Sequence, residues 1–283
     1  MKRVILAGSA IILLLATRAP AAAADLGVGA PAPSPAVAYV TSPIYSWAGF
    51  YAGANAGWHW GKDSITTTTE PFGGFGVKGA SGIDSASPGT VTPSGAAAGG
   101  QVGFNWQLYH TLIGIEADAD WLGGSASRTV GPGIPNSNAA HTLLNSADTM
   151  LNSTKATFLA TVRPRVGVVF DNSLLYVTGG LAIVTLKTTD TMGHLGNTVF
   201  TTASSTVTRA TWTIGAGWEF AFLPNWTAKI EYLYLRVRPI NTIIPSSPGG
   251  FPDDILVVHK YEDNIIRAGL NWRFGYVPVV TTY

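Results

Sequence analysis

Eight times between Trp47 and Phe274 the sequence alternates apolar and polar residues with a period of two. That is the period of a β-strand whose successive side chains point to opposite faces, and it excludes a helical fold over the same segments. In the first segment Phe50, Ala52, Ala54, Ala56, Trp58 and Trp60 share one face, and Gly49, Tyr51, Gly53, Asn55, Gly57 and His59 the other. The second sets Ala98, Val102, Phe104 and Trp106 against Gln101, Gly103, Asn105 and Gln107. Ile113, Ile115, Ala117, Ala119 and Trp121 then oppose Gly114, Glu116, Asp118 and Asp120. The fourth segment runs from Phe158 to Phe170, with Arg163 and Arg165 on its polar face and Pro164 inside it, where a bulge or edge-like geometry is expected. Leu175 to Ile183, Trp212 to Phe220 and Ile266 to Phe274 alternate in the same way. The seventh, Trp226 to Tyr234, is less clean, because Leu233 and Leu235 fall on the face of Lys229 and Glu231.

The connections alternate as well. Short turn-forming links lie near Tyr109, at Asp171-Asn172-Ser173 and at Leu223-Pro224-Asn225. Between them run the Gly/Ser/Thr/Asn-rich stretches Lys62 to Gly95, Gly123 to Ser153, Lys187 to Ser205 and Pro239 to His259. Short turns alternating with long loops are the pattern of an outer-membrane barrel. The expected fold is therefore all-β: an eight-stranded antiparallel up-and-down transmembrane β-barrel with four long extracellular loops and short periplasmic turns.

Composition agrees. Charged residues make up 12% of the 283, against about 25% in soluble domains, and mean hydropathy is +0.24. Yet the longest apolar run, Val4 to Ala16, is shorter than the ~20 residues a spanning helix needs. The polar faces are rich in glycine, which suits the crowded inside of a narrow barrel better than a solvated exterior. Tryptophans cluster at both ends of the segments, Trp58, Trp60, Trp121 and Trp212 toward the long loops and Trp106, Trp226 and Trp272 toward the short turns, as two interfacial girdles. The lumen would then hold five acids, Glu116, Asp118, Asp120, Glu219 and Glu231, and five bases, Arg163, Arg165, Lys229, Arg267 and Arg273. Eight strands enclose little more than side chains, so these charges are expected to pair into a plug or a narrow path, and neutralising Arg163 or Glu116 to raise conductance.

Residues 1–24 read as a signal peptide: Lys2 and Arg3, the apolar run, then Ala22-Ala23-Ala24. Residues 25–46, with four prolines, read as a periplasmic linker, residues 47–274 as the barrel and 275–283 as a C-terminal extension. Without the signal segment the chain carries 14 basic and 16 acidic residues, a net charge of −2 that gives no support to nucleic-acid binding.

Several stretches resemble the alphaproteobacterial outer-membrane immunogenic proteins, a porin-family group of OmpA-like eight-stranded barrels. They are Trp47-Ala48-Gly49-Phe50-Tyr51-Ala52-Gly53-Ala54-Asn55-Ala56-Gly57, Gly100-Gln101-Val102-Gly103-Phe104-Asn105, Thr161-Val162-Arg163-Pro164-Arg165-Val166-Gly167, Trp226-Thr227-Ala228-Lys229-Ile230-Glu231-Tyr232 and Arg267-Ala268-Gly269-Leu270-Asn271-Trp272-Arg273-Phe274. The resemblance implies an abundant, surface-exposed, porin-like envelope protein, with haem binding in some similar members; the barrel is expected to be a monomer, with outer-membrane lipid and small solutes or haem as partners. It also implies an assembly signal, Gly269, Trp272 and Phe274, read by the barrel-assembly machinery; here Gly275 to Tyr283 follows that signal.

Two other functions remain open from the sequence: a surface receptor for haem or another ligand, and a membrane-embedded lipid hydrolase. The chain has no Cys, and of its five histidines only His59 falls within a strand segment, with no Ser on its immediate face. No catalytic residue, cofactor or metal site is expected. His141, His194 and His259 lie in or beside long loops, where a ligand would meet them.

Overall fold

The computed structural model describes residues 45–69, 84–85, 87–131, 148–194, 198–244 and 255–275. The expected signal peptide, nearly all of the linker and all but the first residue of the C-terminal extension lie outside them. Eight long strands form an antiparallel ring: β1 (Gly49–Thr69), β3 (Ser94–Leu108), β4 (Thr111–Leu122), β6 (Asp148–Phe170), β7 (Ser173–His194), β8 (Thr198–Leu223), β9 (Trp226–Arg236) and β11 (Ile255–Arg273). Each pairs with its sequence neighbour, and β11 returns to β1 through an unbroken register from Tyr51↔Arg273 to Thr69↔Ile255, which closes the ring. Three short strands flank it: β2 (Gly89–Val91) on β1, β5 (Ala126–Val130) on β6 and β10 (Ile240–Ile244) on β11. At one end β3–β4, β6–β7 and β8–β9 are joined by two residues each, and Tyr109 (φ 54°) and Asp171 (φ 50°) adopt the left-handed backbone that primed two-residue turns require.

The burial pattern is inside out. Along β11 the buried positions include Asn271, Arg267, Asp263 and His259, while Trp272, Leu270 and Ile266 are exposed. β1, β4, β6, β7 and β9 repeat this, so the charges line the interior and the large apolar side chains the outer wall. A water-soluble barrel would pack the opposite way, because burying apolar surface drives its folding. An outward apolar wall bounded by aromatic side chains is stable only in lipid.

Two expectations are corrected. Of the described residues in the stretches read as long loops, most are strand: β1 continues to Thr69, β7 to His194, β8 starts at Thr198 and β11 at Ile255. Beyond the lipid the outer face meets water, so the apolar/polar contrast disappears and leaves runs such as Thr66 to Thr69 and Thr188-Thr189. Their β-branched side chains still favour strand, without a readable period. At Pro164 the β6–β7 ladder skips Arg163 and Pro164 without changing register; the bulge lies instead between Ala156 and Phe158.

Candidate functional site: a layered lumen

The inward side chains of the ring stack in layers. At the short-turn end Tyr45, Trp47, Leu112, Val169, Leu174, Tyr176 and Ala221 form an apolar cap. Trp47 is fully buried and its backbone N–H donates to Gln107 Oε1 at 2.6 Å. Tyr45 and Ser46, the last residues of the expected linker, are buried with it.

Above the cap lies the ionic layer, drawn from β4, β6, β8, β9 and β11; its members on β4, β6 and β9 sit two residues apart because only every second side chain faces inward. Arg163 bridges Glu116 (3.0 Å), Asp118 (2.7 Å) and Glu231 (3.2 Å). Arg267 holds Asp118 (2.9 Å), Glu231 (2.7 Å) and Asp120. Lys229 donates to both oxygens of Glu116 at 2.8 Å, and Arg165 reaches Glu219 at 3.1 Å and Glu116 at 3.5 Å. None of these nine residues is more than 5% exposed. Arg273 is buried too, but it is not brought into the ionic layer: it donates to the Ala48 carbonyl at 2.7 Å and lies over the Tyr45 ring.

The excess acid is met by neutral donors that charge counting missed. Tyr51 donates to Glu116 at 2.7 Å, Tyr176 to Glu231 at 3.0 Å, Thr161 to Asp118 at 2.5 Å and Asn271 to Glu219 at 2.8 Å. Tyr51 shared the polar parity of its segment, which was the available signal. Its ring is admitted by Gly103, where a Cβ would sit 2.6 Å from Tyr51 Cε1, and Gly269 leaves the room that Lys229 occupies.

Next comes a second apolar layer that includes Leu122, Leu159, Val184, Leu186, Leu233, Leu235 and Ile265. Leu233 and Leu235, the residues that spoiled the seventh alternation, point inward here. His59 sits beside this layer with Nε2–H donating to the Gly123 carbonyl at 2.7 Å and Nδ1 3.1 Å from Asp263.

Past the lipid-facing region a polar layer follows. His259 pairs with Ile65, five residues beyond Trp60 on β1. This residue, expected in or beside a loop, is a buried strand residue, 2.7 Å from Asp63 through Nδ1 and 3.1 Å from Asp190 through Nε2. Thr154 donates to Asp63 and Asn152 to Asp190. A third apolar layer, Ile65, Val91, Met150, Met192, Ile244, Ile255 and Val257, covers it.

Burial alone would pull the imidazole pKa of His259 down. The hydrogen bonds and charges of Asp190 and Asp63 outweigh that and hold it at about 9, up from 6.5. A raised folded-state pKa contributes stability that is complete below about pH 6.5 and is lost as pH rises through about 9, in total on the order of 3 kcal/mol. Urea unfolding of the refolded barrel is expected to shift to lower denaturant between pH 6 and pH 9.5, and His259→Gln to abolish most of that shift. An unchanged pH profile in the variant would show that His259 is not the group responsible.

The girdle tryptophans Trp58, Trp60, Trp106, Trp121, Trp212, Trp226 and Trp272 are on the outer wall, each 37% exposed or more. Of the assembly-signal residues, Gly269 faces the lumen, Trp272 and Phe274 face outward, and the Phe274 N–H donates to the Phe50 carbonyl at 2.9 Å. His110 is exposed in the β3–β4 turn, His141 lies outside the described residues, and the His194 side chain is likewise not described.

A closed ring with a charged, filled interior and a wall of outward apolar and aromatic side chains is a transmembrane β-barrel of the bacterial outer membrane. The family model for the outer membrane protein β-barrel domain matches residues 9–274, and the chain belongs to that family. It is 33% identical over 231 residues to the 31 kDa outer-membrane immunogenic protein of Brucella melitensis, covering 81% of this chain and 85% of the relative. It is 26% identical to the 22 kDa outer membrane protein of Rhizobium leguminosarum bv. viciae, over 82% of this chain and 80% of the relative. Among solved structures, the outer membrane protease OmpT from Escherichia coli aligns over 80% of this chain and 96% of its own, at 11% identity and a TM-score of 0.42.

Proposed function

We propose that the protein is a non-enzymatic structural barrel of the outer membrane, porin-like in architecture but with a sealed lumen, which carries an extended strand wall out to the cell surface. The supporting observation is the alternation of ionic and apolar layers across the ring, with the nine charges of the ionic layer at most 5% exposed. Water and ions crossing such an interior would have to break buried ion pairs and then wet an apolar layer, both unfavourable. Single-channel recording tests this reading.

A hydrolase would need an imidazole nitrogen free to take a proton from a nucleophile. His59 and His259 each have both ring nitrogens engaged. The same engagement argues against either as a haem ligand. On titrating haem into the refolded barrel, any absorbance change is expected to be the same for the parent and for the His59→Gln and His259→Gln variants; loss of the signal in either would revive a buried haem site.

A further inference from the structure

Outside the lumen, charge on the strand wall is distributed very unevenly. Among the described residues, the outward face of the ring strands at the long-loop end carries Lys62, Lys155, Lys187, Arg236 and Lys260, all exposed, and a single acid, Glu262. Arg236 pairs with Glu262 at 3.4 Å. The four lysines make no ion pair among the described residues. At the short-turn end the described outward face has no Lys or Arg, and the exposed charge is Asp171.

The height of these residues is specific. Lys62 is the next outward position after Trp60, and Arg236 the next after Tyr234. Lys155 follows Phe158 across the Ala156/Phe158 bulge, and Lys187 lies two outward positions beyond Ile183. The basic residues thus begin where the lipid-facing surface ends. Lys155 and Lys187 are also direct cross-strand partners, and like charges directly opposite on one face are unfavourable without an anion between them. The bulge creates this clash: by adding a residue at Thr157 it turns Lys155 outward and Ala156 inward.

We infer that this collar is a binding site for the anionic saccharide head groups of the outer-leaflet glycolipid, with the Lys155–Lys187 pair as its centre and Lys62 extending it around the wall. Two observations select that occupant. The collar continues directly from the lipid-facing girdle, so a molecule whose acyl chains lie along Phe158 and Ile183 presents its head group at Lys155 and Lys187. Among the described residues the outward-facing cations are confined to the end that faces the glycolipid leaflet, whereas general solubility would scatter them over both ends. The sites are independent of whether the lumen conducts.

The test uses full-length mature barrel refolded in neutral detergent, titrated with purified lipopolysaccharide bearing phosphorylated lipid A and followed by tryptophan fluorescence. The triple variant Lys62→Gln, Lys155→Gln, Lys187→Gln should bind on the order of a hundredfold more weakly, from roughly fivefold for each lysine beside an anionic lipid surface. The corresponding triple Arg variant should bind like the parent, and dephosphorylated lipopolysaccharide should bind the parent as weakly as the Gln variant binds the intact lipid. Heat-modifiable electrophoretic mobility establishes that each variant is folded. In glycolipid-free micelles Lys155→Thr should raise the midpoint of thermal unfolding by removing the like-charge pair. Undiminished affinity in a folded Gln variant, equal binding of dephosphorylated lipid, or tighter binding of a soluble sulfated polysaccharide than of the glycolipid would each overturn the assignment.

Discussion

Arg267→Met is expected to destabilise the folded barrel by about 3–5 kcal/mol, the cost of removing one partner of a buried ion pair and leaving its counter-charge behind. The guanidinium touches Asp118, Asp120 and Glu231 at once, and Arg163 already serves Glu116, Asp118 and Glu231. No other cation reaches Asp120 among the described residues, so the variant must bury that carboxylate unpaired or draw in a proton. The internal control is Arg236→Gln: its pair with Glu262 is 3.4 Å long and its side chain 58% exposed, so its loss should cost no more than about 1 kcal/mol. Urea titration of both variants in the same micelles gives the comparison. Equal midpoints would mean that the interior is hydrated and that the ionic layer does not hold the wall together.

The second large effect concerns opening the lumen. The sequence suggests that removing Arg163 or Glu116 is enough, because it shows the charges but not the layer above them. With Leu122, Leu159, Leu233 and Leu235 packed across the ring, a neutralised ionic layer still leads to an apolar constriction that excludes water. Arg163→Ser alone is therefore expected to stay closed, and so is its combination with Leu233→Ser and Leu235→Ser while the cap at Trp47 and the layer at Met150 remain; adding Trp47→Ser and Met150→Ser should give discrete ion-conducting openings. Planar-bilayer recording checks the order: openings in the single variant as large as in the fivefold variant would mean that the apolar layers do not close the lumen.

How much of this is legible in the sequence depends on contrast. Where one face of a strand meets lipid and the other a charged interior, apolar and polar side chains alternate sharply, and β3, β4, β8 and β11 can be read residue by residue. Where the interior itself turns apolar, at Leu233 and Leu235, inward and outward residues share the same chemistry and parity is lost. Where the exterior turns aqueous, at Thr66 to Thr69 and Lys187 to Ser205, both faces are polar and a continuing strand resembles a loop. His259 was hidden for that reason, and its partners Asp63 and Asp190 come from strands 196 and 69 residues away in sequence. The ionic layer was visible because parity alone assigns Glu116, Asp118, Asp120, Arg163, Arg165, Lys229, Glu231 and Arg267 to one face. The exclusion of Arg273 was not, since its level depends on how Tyr45 and Trp47 fold back beneath it.

Whether the lumen is sealed is decided by recording single-channel currents from the unmodified mature protein in planar bilayers, at neutral pH and high salt. A lumen closed by its ionic and apolar layers gives a quiet baseline, with insertion demonstrated independently by protease protection of the barrel. Large, stable, ohmic channels from the unmodified protein would contradict it.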